Sequence, residues 1–258
     1  MDAVNKTLYI PLYGKALVSR RGLVLHDPWA ETIWEQEGFP LKGKSRSKWL
    51  AYYMGMRAAV FDRWVAEQCA GHPDAVVLHL GCGLDSRNLR VSGVVNQWYD
   101  VDFPDVIRER QRHFEETDRY HMIASDVRAL SWLDAVPGKN AIVVMEGISM
   151  YLAPEELSAV LAGLKDRFDT VHLLMDCYTS LAAKASKVRN PINEVGVTQV
   201  YGLDDPMALE STGLRFVREH SMTPQDLIDH LSGMERFIFQ KLYAGNLSKK
   251  LYRMYEFR

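Results

Sequence analysis

The sequence predicts an α/β fold, a parallel sheet of seven strands covered by helices on both faces, behind a helical N-terminal segment. Three observations predict it. Short apolar, β-rich runs alternate with helical patterns from residue 75 onward, the signature of a doubly covered parallel sheet. The first run, Ala75 to Leu80, breaks abruptly into Gly81-Cys82-Gly83, as a strand does when it turns into a helix. The chain has 258 residues, 47% hydrophobic and 25% charged, enough for one sizeable core and too apolar for a disordered chain.

The remaining strands follow in order. Asn96 to Asp100, Tyr120 to Ala124, Ala141 to Met145 and Val171 to Met175 are each four to six residues long and mostly lead into helical stretches. Leu214 to Glu219 and Leu251 to Phe257 complete the seven. The last alternates apolar or aromatic residues with partly polar ones, which suits an edge-side strand better than a doubly buried one. Residues 1–74 are expected to form a helical lid with its N-terminal segment, and 75–258 the core, with an acceptor-binding insertion at about 177–212. The clearest lid helix spans Ser45 to Ala70, where Trp49, Tyr53, Met56, Val60 and Trp64 recur at three- and four-residue spacing. Arg57 falls near the edge of that stripe. It either snorkels to water or aims a guanidinium at an anion inside a site.

Composition excludes several classes of function. The net charge is -2, so no global basic field exists to hold nucleic acid. No apolar run approaches the roughly 18 residues of a membrane helix, and no signal peptide is read at the start. The three scattered cysteines, Cys69, Cys82 and Cys177, support neither a disulfide framework nor a zinc site, and they fit a cytoplasmic protein.

The chemistry is expected where the strands end. Gly81 and Gly83 let a ligand approach the backbone. Asp100 and Asp102, at the end of the next strand, sit where a carboxylate accepts the hydroxyls of an adenosine ribose. Asp102 is also a candidate N-cap for the helix opened by Phe103-Pro104, so one of the two acids can bind while the other caps. Asp126 follows the third strand and Glu146 the fourth. One acid at a strand end is ordinary; four ends in register along one edge describe a site. A dinucleotide fingerprint needs a third glycine, where this chain has Ser86, and Asp85 adds negative charge where phosphates would lie. A cofactor with ribose and adenine but no phosphate fits better, and S-adenosyl-L-methionine is the candidate. An NAD-dependent oxidoreductase and a non-catalytic cofactor-binding module are the distant alternatives.

The runs His79 to Arg87, Tyr99 to Pro104, Ser125 to Arg128 and Glu146 to Leu152, taken in order, resemble the leucine carboxyl methyltransferase superfamily, most closely its branch of tetracenomycin-type polyketide O-methyltransferases. The resemblance extends from Tyr9-Ile10-Pro11-Leu12-Tyr13-Gly14-Lys15 to the last strand. It implies a class I methyltransferase fold with a Rossmann-like seven-stranded sheet and S-adenosylmethionine as cofactor. It further implies that Lys15 and Arg57 clamp the methionine carboxylate, that Gly81 meets the methionine moiety and that Asp102 holds the ribose. Asp126 and the Val127 amide would read the adenine, and Glu146 would face the methionine amino group. The relative acting on a protein C-terminus is longer, which favours a small molecule or short peptide as acceptor here.

A carboxylate acceptor is already ionised at neutral pH and needs no base, whereas a phenol or alcohol is helped by one. His26, His121 and His220 sit in no catalytic motif, so a carboxylate methylated to a methyl ester is the expected chemistry, with a phenolic or alcoholic hydroxyl as the alternative. Tyr151, Tyr178, Tyr201 and Arg189 are the acceptor-site candidates. With Lys184 and Lys187, and a second cluster of Lys42, Lys44, Arg46 and Lys48, they suit an anionic, aromatic natural product.

Overall fold

The computed structural model describes residues 5–186 and 199–258. Seven strands form one sheet: β1 (Val76–Leu80), β2 (Trp98–Asp102), β3 (Tyr120–Ala124), β4 (Asn140–Met145), β5 (Thr170–Tyr178), β6 (Phe216–His220) and β7 (Tyr252–Phe257). Their spatial order is β3-β2-β1-β4-β5-β7-β6. The first five are parallel, and β7 runs antiparallel to both β5 and β6. The order reverses between β1 and β4, so the loops leaving their carboxyl ends open a crevice there.

Strand alternation sends successive side chains to opposite faces, and both faces are filled. Val76, Leu78, Leu80, Val143 and Met145 join Leu157, Val160, Leu161 and Leu164 of helix α6 (Pro154–Arg167). Val77, Ile142, Val144, Leu174 and Met254 face the other way, onto Phe61, Trp64 and Val65 of helix α3 (Lys48–Gly71). The three cysteines are buried and unpaired, one each in α3, the loop after β1 and β5.

α3 departs from the expected one-sided stripe. Every residue from Ala51 to Phe61 is buried, because α1 (Tyr9–Arg20) packs on one side of it and the sheet on another. The helices α1 and α3 approach closely at glycines: a Cβ on Gly14 would come within 2.8 Å of Met54 Cβ, and one on Gly55 within 2.7 Å of Val18 Cγ2. The second half of α3 is thus a layer of the core, while its first half and α1 overhang the crevice. Helix α2 (Pro28–Glu37) packs on α1 and begins at Asp27, whose carboxylate caps the Ala30 amide at 2.9 Å.

The last strand differs from expectation too. β7 lies between β5 and β6, and β6 forms the edge. Its charged side chains are paired across the ladder: Arg253 pairs with Glu219 at 3.0 Å, and Glu256 accepts from Arg218 and meets His220, each at 2.7 Å. Charge pairs on neighbouring strands replace the solvent that an edge would have offered. Among the described residues there are also shorter helices, α4 (Arg87–Arg90), α5 (Pro104–Arg110), α7 (Ser180–Ser186), α8 (Gln225–Ile228), α9 (Gly233–Leu242) and α10 (Asn246–Lys249). No helix among the described residues is long and apolar enough to cross a membrane.

Candidate active site

A cleft of about 1180 Å³ opens along the carboxyl ends of β1, β2, β3 and β4 under the overhang of α1 and α3. Its floor is the loop after β1. Gly81 and Gly83 both adopt left-handed φ, +67° and +52°, which favour glycine, and a Cβ on Gly81 would strike Ile148 Cδ1 at 2.7 Å. The Gly83 amide donates to Asp102 Oδ2 and the Phe103 amide to Asp102 Oδ1, both at 2.8 Å, so the loop and the end of β2 hold one carboxylate between them. Burial lifts the pKa of Asp102 to about 6, against the lowering effect of those two amides. The N-cap of α5 is Phe103, so Asp102 does not take the capping place read for it.

Asp100 does not line this cleft. It is fully buried and paired with Arg110, and it accepts from the Tyr120 hydroxyl at 2.6 Å and from Trp98 Nε1 at 2.8 Å. Its oxygens serve the packing of α5 on the sheet, which corrects its expected place beside Asp102 at the ligand. Arg110 extends that support to the floor by donating to the Gly83 carbonyl at 3.0 Å.

Four cations and five acids interlock behind the floor. Lys15 of α1 meets Asp85 at 3.0 Å, and both are nearly inaccessible. Arg57 of α3 donates to Glu146 and Asp176, each at 3.0 Å, and to the Tyr252 hydroxyl at 2.7 Å. Arg87 joins Glu146 to Asp62, and Arg90 joins Asp62 to Asp85 and Asp27. Burial alone would raise the carboxyls of Asp85 and Glu146. Arg87, Lys15 and Arg90 instead hold Asp85 well below the usual range, and Arg57 and Arg87 bring Glu146 down to about 2. Asp176, with more burial than compensation, is raised. Asp85, read from the sequence as a charge facing phosphates, is in fact turned towards Lys15. Arg57 takes the inward of its two orientations: its side chain is 5% exposed.

Lys15, Arg57, Gly81, Gly83, Asp102, Asp126, Val127 and Glu146 all line the one cleft. Asp126, half-buried, is gripped by Arg128 through both oxygens at 2.6 to 3.0 Å, and those hydrogen bonds lower its pKa. Its carboxylate also closes the turn on the Arg128 amide at 3.0 Å.

Beyond the acids, the cleft is walled by Leu50, Tyr53 and Met54 of α3, Ala182 and Ala185 of α7, and Tyr243, Leu251 and Tyr252 near the C-terminus. Tyr151 and Tyr178 belong to this wall, as expected. Tyr201 does not line it: its amide is held by the Met150 carbonyl at 2.8 Å and its hydroxyl accepts from Gln199. Arg189 and Lys187 lie outside the described residues. Of the cluster Lys42, Lys44, Arg46 and Lys48, only Lys44 lines the cleft, while Lys48 is drawn to Glu235 at 2.8 Å. His26 is exposed, His121 meets Gln97 and His220 meets Glu256, so none of these three reaches the cleft. His79 does line it, but burial lowers its pKa and its Nε2 faces Arg87 at 3.2 Å.

Asp176, Tyr252, Tyr53 and Arg87 were not read from the sequence as site residues. Arg87 ends a motif read for its glycines, and Asp176 opens the segment leaving the fifth strand, which was read for Tyr178. Tyr252 and Tyr53 looked like ordinary apolar positions of a strand and a helix.

The sequence model of the leucine carboxyl methyltransferase family matches residues 5–165. The tetracenomycin polyketide synthesis O-methyltransferase TcmP of Streptomyces glaucescens is 33% identical over 244 residues, covering 92% of this chain and 90% of that protein. An S-adenosyl-L-methionine-dependent methyltransferase of Gibberella zeae, dpfgK, is 24% identical over 242 residues, covering 84% and 81%. Among solved structures, magnesium protoporphyrin IX methyltransferase of Synechocystis PCC 6803 with bound SAH shares the fold, with a TM-score of 0.52 at 14% identity over 89% of this chain and 92% of that one.

Proposed function

Because the chain belongs to the leucine carboxyl methyltransferase family and is an S-adenosylmethionine-dependent O-methyltransferase, we propose that it converts a carboxylate of a small, aromatic natural product into a methyl ester. The proposal extends to the residues. Lys15 and Arg57 would hold the methionine carboxylate, Glu146 the amino group, Gly81 and Gly83 the path of the chain, Asp102 the ribose hydroxyls, and Asp126 with the Val127 amide the adenine.

The donor set supports that fit. Hydroxyls want a carboxylate acceptor, and Asp102 keeps lone pairs beyond the two amides it accepts. A ligand carboxylate wants Arg or Lys, and the cleft presents both. The glycine floor leaves room that a Cβ would fill. When bound, S-adenosylmethionine supplies an electrophilic methyl group on a sulfonium whose departure leaves a neutral thioether. The chain's own part is to bind, align the two reactants and exclude water.

One observation carries the choice of acceptor. The described wall of the acceptor half contributes tyrosines, apolar side chains, Thr7, Ser47, Ser186, Ser248 and Lys44, and neither an acid nor a histidine. Burial raises the hydroxyls of Tyr53, Tyr151 and Tyr252, so none is a phenolate at neutral pH. A pre-ionised acceptor needs no base there, and an aromatic one matches the tyrosine wall. The test is transfer of isotopic methyl to a panel of aromatic carboxylic acids and matched phenols. The label should pass to the acids and be released as methanol by mild alkali. Label that enters the phenols and survives alkali would overturn the carboxylate reading.

A further inference from the structure

Arg57 is given a nearly complete seat by its own chain. Nε donates to Glu146 Oε1 at 3.0 Å, and Nη2 lies 3.0 Å from the same oxygen. Nη1 donates to Asp176 Oδ2 at 3.0 Å and to the Tyr252 hydroxyl at 2.7 Å. Tyr252 donates onward to Asp176 Oδ2 at 2.7 Å, and Asp176 Oδ1 accepts the Gly147 amide at 2.6 Å. A guanidinium carries five N–H groups in a rigid fork. Four are engaged in this way, which leaves one on Nη2 for an incoming anion.

Tyr252 also stands at the junction of the two halves of the cleft. Its hydroxyl belongs to the Arg57 seat. Its ring belongs to the acceptor wall, stacked on Tyr53 at 6.2 Å and edge-on to Tyr178 at 4.9 Å. Asp176 lies behind it, fully buried, and does not line the cleft.

We propose that Tyr252 and Asp176 are positioning residues that fix the rotation of the Arg57 guanidinium, so that its remaining N–H is presented to the carboxylate end of the cofactor. The proposal rests on the reading in which Arg57 holds that carboxylate. Neither residue touches the reacting atoms. The Tyr252 ring separately shapes the acceptor wall, so hydroxyl and ring have separable duties.

The experiment compares the affinities of S-adenosylmethionine and its decarboxylated analogue, which differ only in the carboxylate. Calorimetry is done on the wild type, Tyr252→Phe, Asp176→Asn and Arg57→Lys. Tyr252→Phe should weaken S-adenosylmethionine about tenfold, the loss of roughly one hydrogen bond to a charged group, and leave the analogue unchanged. The acceptor KM should stay within about twofold, because the ring that packs on Tyr53 and Tyr178 remains. Asp176→Asn, where it folds, should follow Tyr252→Phe. Equal weakening of both ligands, or of neither, by Tyr252→Phe would overturn the positioning role. A preference lost in Arg57→Lys but intact in Tyr252→Phe sinks the proposal and leaves the carboxylate reading standing. A wild type that binds both ligands alike sinks that reading itself.

Discussion

Asp100 and Asp102 point to the same face of β2 yet have different work. Two residues along a strand is about 6.6 Å, enough to move a carboxylate from beneath the helices to the crevice beyond the sheet edge. Asp100→Asn should therefore cost stability, about 3–5 kcal/mol, because Arg110 is left buried without its counter-charge. Denaturant melting checks this, and the folded fraction should still bind cofactor with near wild-type affinity. Asp102→Asn should do the reverse, melting nearly normally and binding weakly. With its pKa raised to about 6, Asp102 is ionised above that pH and able to accept ribose hydroxyls. Cofactor affinity should then fall as the pH drops from 7.5 to 5, by up to about tenfold per unit below 6, and calorimetry on Asp102→Asn should show that slope gone. The carboxylates at the strand ends were legible because position along a parallel sheet dictates where a ligand sits. Which of two neighbouring acids faces the ligand was not, since the answer depends on Arg110 and Tyr120 arriving from α5 and β3. Arg57 shows the same limit: its inward aim was one of two sequence readings, but its partner Asp176 lies 119 residues away. Arg57→Ala should thus lose fold stability as well as affinity, because two acids remain buried behind it.

At the level of elements, the loop after β1 is the least replaceable. Gly81→Ala combines a left-handed backbone with a contact that Ile148 must vacate, and the backbone alone should cost about 1–2 kcal/mol. A second substitution, Ile148→Ala, should restore part of the cofactor affinity by making room, while the backbone cost persists. Thermal melts and calorimetry on the single and double variants separate the two contributions. The glycine turn was readable as part of a site because acids follow it at fixed distance, Asp100 and Asp102 at the end of the next strand; Gly-x-Gly by itself marks only a turn. The all-round burial of α3 was not, because a stripe at helical spacing says which face is apolar and nothing about a second helix crossing at Gly55. β7 was misread for a related reason. Its polar residues signalled water, and the structure answers them with charges on β6.

Over the whole molecule, the buried charges set how it meets acid. Glu146 and Glu256 are held near 2, below their unfolded values, so the stability they supply is present above about 4.5 and is lost as the pH falls towards 2. His172 adds an earlier slope. Burial, and then the neighbouring His72 ring at 4.1 Å, hold it at about 4, so the folded chain binds fewer protons there than the unfolded chain between pH 6.5 and 4. Stability should decline across that interval, and His172→Leu should flatten that part of a melting-temperature profile while leaving the steeper loss below 4.5. The three buried thiols turn this architecture into its own clock. Cys69 sits in α3, Cys82 beneath the cleft and Cys177 in β5, so a thiol-labelling time course should resolve into separate phases. The phase assigned to Cys82 should slow when cofactor is added, and the rate for Cys177, buried near the carboxyl end of β5 between β4 and β7, should track opening of the sheet itself.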